Sequence, residues 1–260
     1  MFNWSAFTLF LFITMRMSGF VLFNPIFGRS GVPNIFRAGF ILVLSWMVYG
    51  VYGGGSVAVP ETLLALAFRL VMELALGFLT GTVVRFFFYV PEQAGELIDA
   101  QMGMSMARTY DPTTQSQSTS TANLLTIMAT LLFFAANGHI TLLRILLTSS
   151  EIVPFGTPAL GVEAAERMVE LFAECVILSI KLSLPVLGAE LLGQVGMGVL
   201  MKAIPQINVF AINIELKVLV GLFMLLFLIA PMGEFLLDME TQMLAEVRNI
   251  LTLASGQFAT

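Results

Sequence analysis

Long apolar runs separated by short polar stretches make up almost the whole chain. Each run is at least as long as the roughly 17–25 residues that an α-helix needs to cross a bilayer. The pattern predicts helices at about residues 5–27, 36–54, 62–90, 122–149, 165–201 and 209–237. The fifth contains Pro185, so we expect it to be kinked or broken there. The sequence therefore predicts an all-α protein with about six long hydrophobic, partly broken helices.

Composition narrows the class of protein. Hydrophobic residues make up 58% of the chain and charged residues only 11%, whereas a soluble domain carries about 25% charged residues. This indicates a polytopic membrane protein. The net charge of −5 and the lack of a basic run give no reason to expect a nucleic-acid partner. Arg16 falls where a signal peptide would be apolar, so the first run is predicted to be an uncleaved span.

One cysteine, Cys175, excludes an intramolecular disulfide and a multi-cysteine metal site. Apolar residues surround it at helical spacing, which favours an inert buried thiol. The sequence contains no G-x-S-x-G, no P-loop and no dinucleotide-binding fingerprint followed by an acidic residue. Nothing in the sequence argues for an enzyme, a metal or a cofactor.

Ionisable side chains inside the apolar runs need a partner or water, because charge at membrane depth is costly. They are Arg16, Arg69, Glu73, Lys181 and Glu190. Arg69 and Glu73 stand four residues apart and could neutralise each other on one helix face. Such charges favour a subunit packed in a larger assembly, although the interior of a transporter would satisfy them equally well.

Two short motifs bear on helix packing. Gly77 and Gly81 form a GxxxG pattern, which either marks a close helix contact or occurs by chance. The Asn137-Gly138-His139 sequence interrupts the apolar run of the fourth helix. We interpret the single histidine as a hydrogen-bonded packing residue rather than a proton carrier.

Residues 91–108 combine acidic residues with methionines. If this stretch is helical, Glu92, Glu96 and Asp99 share one face, which is either solvated or binds cations or a partner. Scattered carboxylates and one histidine do not form a metal ligand set. Methionine adapts to irregular surroundings, so the cluster at 102–106 is either core filler or a deformable seal around a pore. Residues 113–121 are all Ser, Thr or Gln, so we expect a mobile or contingently ordered segment there, and its plain interpretation is an ordinary surface loop.

The stretch from Leu184 to Lys217 contains a polar turn between two apolar helices. Lys202-Ala-Ile-Pro205 ends the fifth helix, and Gln206, Asn208 and Asn213 then alternate with apolar residues. A simple lipid-facing hairpin has no need of these groups or of Glu190, so we expect a protein-lined interior. Basic residues concentrate in the loops after the first, third and fifth helices, which predicts that these loops are cytoplasmic and both termini outside.

Several motifs together resemble the FliR family, the FliR/SctT component of the export gate in flagellar and injectisome type III secretion. They are Pro25–Pro33, Glu92–Gly95, Asp99–Ser105, Asp111-Pro112, Asn137–His139 and the Leu184–Lys217 block. The Glu-Gln-Ala-Gly, Gln-x-Gly-x-Ser and Asn-Gly-His combination looks more like the flagellar branch. The resemblance runs along nearly the whole chain.

The resemblance implies a FliP-like part at 1–160 and a FliQ-like helical hairpin with a C-terminal tail at 161–260. A single FliR-like copy would close a helical ring with several FliP- and FliQ-like subunits, through which unfolded proteins pass. FlhB-like and FlhA-like export proteins would be further partners. The assembly would belong to the bacterial inner membrane and the flagellar basal body, largely on the periplasmic side of the membrane plane. The alternative is a secondary transporter or small-solute channel, although no convincing internal repeat supports it.

The resemblance also implies two groups of functional residues. The plug loop corresponds to about Ser105–Thr121, and the predicted pore and plug residues are Met102, Met104, Ser105, Met106, Arg108, Tyr110, Asp111, Pro112, Thr113, Gln115 and Gln117. The predicted subunit or entrance interface consists of Pro185, Gly188, Glu190, Gly193, Lys202, Pro205, Gln206, Asn208, Phe210 and Lys217.

Overall fold

The computed structural model describes residues 3–28, 32–52, 57–104, 119–203 and 209–256, without the side chains of 200, 201, 203 and 209–214. Every regular element within these ranges is an α-helix. In chain order they are α1 (Trp4–Phe23), α2 (Asn34–Tyr52), α3 (Leu63–Met102), α4 (Ser120–Ala135), α5 (Gly138–Leu147), α6 (Ser149–Ile152), α7 (Val162–Ala203) and α8 (Val209–Leu253). The predicted all-α class is confirmed.

By length and composition, α1, α2, α3, α7 and α8 each contain a stretch long and apolar enough to cross a membrane. The pair α4 and α5 supplies a sixth stretch if both helices count as one bent span. The number of apolar segments therefore agrees with the prediction from the hydrophobic pattern.

The bend in the fourth predicted helix lies at the Asn137-Gly138-His139 motif. Helices α4 and α5 meet there at 66°. Asn137 adopts the left-handed conformation with φ of 60°, which asparagine tolerates better than most residues. Gly138 is buried directly after it. The prediction of one continuous helix over 122–149 is therefore wrong, because a residue in the left-handed conformation cannot continue a helix and α4 ends before Asn137.

Helices α3, α7 and α8 each continue through a proline: Pro91, Pro185 and Pro231. Helix α7 therefore does not break at Pro185, and a kink there stays a prediction. Helices α3 and α8 extend well past their predicted ends at 90 and 237. A proline removes one helical hydrogen bond, but neighbouring groups can satisfy the freed carbonyl when the helix is long and apolar. The hydrogen bonds on both sides are enough to maintain the helix.

The chain forms two compact units. The first consists of Met1–Phe87, Asn137–Phe172 and Thr241–Thr260, and the second of Phe88–Ala136 and Ala173–Glu240. Neither unit is a single stretch of chain. The division near residue 160 into a FliP-like and a FliQ-like part stays a prediction.

Backbone contact between α1 and α3 organises the first unit. A Cβ atom built on Gly81 would lie 2.9 Å from the carbonyl oxygen of Phe20. Cβ atoms on Gly19 and Gly77 would come even closer to the backbone of the facing helix. Only glycine allows this approach, so the GxxxG pattern marks a real helix contact.

Candidate functional site

The carboxylate of Asp99, in the second unit, joins the end of α3 to the start of α4. Its Oδ2 accepts a hydrogen bond from the backbone N–H of Thr121 at 2.9 Å, and its Oδ1 accepts one from the Thr121 hydroxyl at 2.5 Å. A negative charge at a helix N-terminus is favourable, because the first N–H groups of the helix are otherwise unpaired. The side chain of Thr119 also accepts a hydrogen bond from the Ala122 N–H at 3.4 Å and so caps the helix.

The backbone of Asp99 also takes part in ending α3. The N–H of Met104 donates to the Asp99 carbonyl at 3.0 Å, and the N–H of Gly103 donates to the Ala100 carbonyl at 3.2 Å. Gly103 has a φ of 79°. This is a Schellman motif, in which a glycine with positive φ satisfies the last carbonyls of a helix. Asp99 therefore holds both flanks of residues 105–118, one through its carbonyl and one through its carboxylate.

Gly95 brings the two helices into direct contact beside this anchor. A Cβ atom on Gly95 would lie 2.7 Å from the carbonyl carbon of Thr121 and closer still to the backbone of Ala122. Ala122 is fully buried. The Asp99–Thr121 hydrogen bonds are therefore formed across tightly packed backbones and shielded from water.

The burial of Asp99 corrects one prediction from the sequence. Asp99 is fully buried and so does not lie on a solvated acidic face with Glu92 and Glu96. Those two residues are half-buried. Thr119 and Thr121 are buried at the start of α4, so the predicted mobile loop ends before them. Helical spacing alone could not show that another element covers one end of the acidic face.

The structure places only part of the predicted plug. Met102 is fully buried and Met104 half-buried. A Cβ atom on Gly221 of α8 would clash with the sulfur of Met102 and lie 2.5 Å from its Cγ, so this methionine packs against the α8 backbone. The remaining predicted residues lie outside the described part: Ser105, Met106, Arg108, Tyr110, Asp111, Pro112, Thr113, Gln115 and Gln117.

The predicted interface residues differ in their exposure. Glu190 is buried, Gly188, Gly193 and Lys217 are half-buried, and Pro185 and Lys202 are exposed. A Cβ atom on Gly188 or Gly193 would meet nothing within 4 Å in this chain, so both glycines face open space. Pro205, Gln206, Asn208 and the side chain of Phe210 lie outside the described part.

Glu190 lies against the α8 backbone in the second unit. A Cβ atom on Gly221 would be 3.0 Å from its Oε1. The ammonium group of Lys217 is the nearby charge that acts on the carboxylate. Both residues line one small cavity together with Gly193, Gln194, Met197, Leu216 and Val220. Lys181, in contrast, is exposed.

A buried ion pair in the first unit connects α1 to α3. Arg16 Nε donates to Glu73 Oε2 at 2.6 Å, and Nη2 donates to Oε1 at 3.1 Å. Arg16 Nη1 also donates to the Ser149 hydroxyl and to the Val153 carbonyl, at 3.2 and 2.9 Å. Its guanidinium carbon lies 4.3 Å from the centre of the Phe155 ring. The arginine is thus surrounded by acceptors and one aromatic face.

Pairing of Arg69 with Glu73, suggested by their spacing, is wrong. Both carboxylate oxygens of Glu73 bind Arg16, and Oε1 also accepts the N–H of Gly156 at 2.6 Å. Arg69 remains half-buried. The sequence signal for the Arg16–Glu73 pair was the presence of opposite charges in two separate apolar runs. The hydrophobic periodicity does not show which residues so far apart in sequence, here 57 positions, are in contact.

Comparison with known proteins identifies the family. Residues 7–243 match the family of "Bacterial export proteins, family 1". The chain belongs to this family. Among its relatives is the "Flagellar biosynthetic protein FliR" of Bacillus subtilis, 28% identical over 251 residues that cover 95% of this chain and 96% of the relative. The protein of the same name from Escherichia coli is 26% identical over 248 residues and 94% of each chain.

A relative with a different name extends the family beyond flagellar proteins. The "Yop proteins translocation protein T" of Yersinia pestis is 29% identical over 147 residues, which cover 56% of each chain. The resemblance to the FliR family, predicted from the sequence motifs, is thus confirmed, and the chain is a bacterial export protein with several apolar helices.

Proposed function

We propose that this chain is the structural and gating subunit of a flagellar type III export gate. In this proposal it forms a channel for unfolded substrates together with FliP- and FliQ-like subunits, in which it is present as a single copy. Membership of a family of bacterial export proteins supports the role in export. The relatives named FliR, aligned over more than nine-tenths of the chain, support the flagellar branch.

Exposed apolar surface supports the role of a subunit. In the second unit, Leu192, Leu226 and Phe227 are each more than 70% exposed, and they are spread over α7 and α8. Apolar side chains in such number need lipid or partner helices to cover them. FliP- and FliQ-like helices, within an assembly in the inner membrane and the flagellar basal body, would provide this cover. We place most of that assembly on the periplasmic side of the membrane plane.

The plug role rests on the anchor at Asp99. Asp99 holds both flanks of residues 105–118, and in this proposal the segment moves between a closed and an open position while its two ends stay fixed. Residues 113–118 within this segment are all Ser, Thr or Gln, so this part has little apolar surface whose packing would oppose such a change. We therefore assign the closing of the channel to this segment, and a supporting role to the buried Met102.

The polar turn between α7 and α8 is proposed to be the entrance on the cytoplasmic side. Lys202 is exposed, and Gln206 and Asn208 supply side-chain amides for hydrogen bonds to a partner. We propose that an FlhB-like protein docks at this turn and that an FlhA-like protein belongs to the same apparatus. The alternative is a tight turn whose polar groups satisfy only its own backbone.

A transporter or small-solute channel is the competing function. It would use Arg69, Glu73, Lys181 and Glu190 as a polar pathway. Glu73 is already saturated by Arg16 and Gly156, and Lys181 is exposed. Such a pathway would therefore lack two of its four groups, and family membership also favours export.

Deletion of residues 113–118 tests the gate, because it spares the buried Thr119 and Thr121. We expect the shortened chain to copurify with FliP- and FliQ-like subunits and to make cells leaky to ions. A variant with the same six residues in shuffled order should assemble and stay closed. A tight membrane with correct assembly would overturn the plug. Failure of the wild-type chain to copurify with those subunits would overturn the role of export-gate subunit.

A further inference from the structure

The backbone N–H of Gly221 acts on the buried Glu190 carboxylate, yet one oxygen of that carboxylate accepts no well-formed hydrogen bond from the described residues. Glu190 is 1% exposed, and its Oε1 accepts no hydrogen bond from any residue in the described ranges. A buried acceptor without a donor is costly, and most such groups in folded proteins are paired with protein or with ordered water. Something other than the described side chains is therefore expected to donate to this atom.

The cavity beside Glu190 restricts what that donor can be. It has a volume of about 10 Å³, which is close to the lower limit for one water molecule. Three polar residues, Glu190, Gln194 and Lys217, are among those that line the cavity, and a buried water requires two to four hydrogen-bonding partners.

The charges around the cavity disfavour ions as occupants. The ammonium group of Lys217 disfavours a cation, and the carboxylate of Glu190 disfavours an anion. Among the described residues, no group of three or more His, Cys, Asp or Glu side chains could hold a metal ion. A small neutral molecule that can both donate and accept hydrogen bonds fits both the size and the charge.

We propose that this cavity binds one ordered water molecule that links Glu190 on α7 to Lys217 on α8. The water donates to Glu190 Oε1 and accepts a hydrogen bond from the Lys217 ammonium group. The link would hold together two helices whose surrounding surface is apolar. The proposal does not depend on the role in export, because it concerns only the packing of α7 against α8.

Cryo-electron microscopy of the intact complex that contains this chain tests the proposal. At a resolution where other buried waters of the complex are visible, we expect a peak within hydrogen-bonding distance, about 2.7–3.2 Å, of both Glu190 and Lys217. Absence of that peak would overturn the proposal. So would a partner side chain in the cavity, or a direct contact between the Lys217 ammonium group and Glu190 Oε1.

A variant pair tests the bridging role. Lys217→Met keeps the length of the side chain but removes the donor, so the peak should fall to the noise level. Lys181→Met removes an exposed lysine from α7 and should leave the peak unchanged. A peak of full height in Lys217→Met would show that lysine does not hold the water. If Lys217→Met does not assemble, the wild-type map decides alone.

Discussion

Asp99 and Thr121 are joined by two hydrogen bonds to one carboxylate, from the backbone N–H and from the hydroxyl of Thr121. Both residues are buried, so water cannot replace either bond. The pair connects the last turn of α3 to the first turn of α4, across the segment that we propose as the plug. Its strength decides how firmly the two flanks of that segment are held.

Substitution at this pair should destabilise the second unit. Asp99→Ala leaves two buried donors unpaired, which costs about 1–3 kcal/mol per group. Thr121→Val removes only the hydroxyl donor and should cost less. The thermal unfolding midpoint of the purified complex should fall slightly in Thr121→Val and further in Asp99→Ala. The double variant should lose less stability than the sum of the two single losses. Glu96→Gln, a half-buried carboxylate on the same helix, is the control. An equal loss with Glu96→Gln would contradict the special role of Asp99.

The Arg16–Glu73 pair predicts a larger effect in the first unit. Glu73→Gln leaves a buried guanidinium without its charge partner, and breaking a buried pair in this way costs about 3–5 kcal/mol. We expect little folded protein in membranes of this variant. The double variant Arg16→Met with Glu73→Leu removes both charges and should recover part of the yield. Yield and monodispersity after detergent extraction measure the effect.

Arg69→Met provides the matched control for that pair. Arg69 stands four residues before Glu73 but is half-buried and takes no part in the bidentate pair. Its loss should leave the yield near that of wild type. A loss of yield as severe as that of Glu73→Gln would show that Arg69 also supports the Glu73 carboxylate, and would contradict a pairing with Arg16 alone.

The helical segments could be predicted from the sequence because apolar runs of this length have few alternatives. The bend at Asn137 was not predicted, because the Asn-Gly interruption of the apolar pattern does not show that Asn137 adopts the left-handed conformation. The ends of α3 and α8 were not predicted either, because helical hydrogen bonding continues through Pro91 and Pro231. The sequence shows that a proline destabilises a helix, but it does not show the surrounding contacts that compensate for this.

The partners in the buried polar contacts could not be predicted from the sequence, because they depend on the tertiary structure. Arg16 and Glu73 were recognisable as charges that need partners, yet each had several candidates in the sequence. Asp99 belongs to a helical acidic pattern, and only the position of α4 shows that it is covered. The close packing at Gly77 could be predicted from the sequence, because small residues at this spacing indicate a helix contact. The spacing does not show which helix is in contact.

Gly221 should be a sensitive position on α8. A methyl group there would clash with Met102 and approach Glu190 Oε1 to 3.0 Å. Overpacking of this kind costs about 1–3 kcal/mol, although the flexibility of methionine lowers the cost. We expect Gly221→Ala to lower the unfolding midpoint of the complex and to increase ion leak, because Met102 directly precedes the turn into the proposed plug.

Gly50→Ala is the control for Gly221→Ala. A Cβ atom at Gly50 on α2 meets nothing within 4 Å, and alanine favours the helix over glycine by about 1 kcal/mol. This variant should keep or raise the unfolding midpoint. A normal midpoint and a closed channel in Gly221→Ala would show that Met102 can move aside without consequence.

Crosslinking tests the entrance at the turn between α7 and α8. Basic residues predict that this turn faces the cytoplasm, and its amides at Gln206 and Asn208 suit hydrogen bonds to a partner. A photo-crosslinker at either position should capture an FlhB-like protein in cells. The same crosslinker at the exposed Thr241, which the orientation rule places on the other side, should not. If an impermeant reagent added from outside labels a cysteine at Gln206 in intact cells, both the orientation and the docking proposal are wrong. Labelling of a cysteine at Thr241 alone would support the orientation, because it places the turn between α7 and α8 on the cytoplasmic side, and the crosslink at Gln206 or Asn208 then decides the docking proposal.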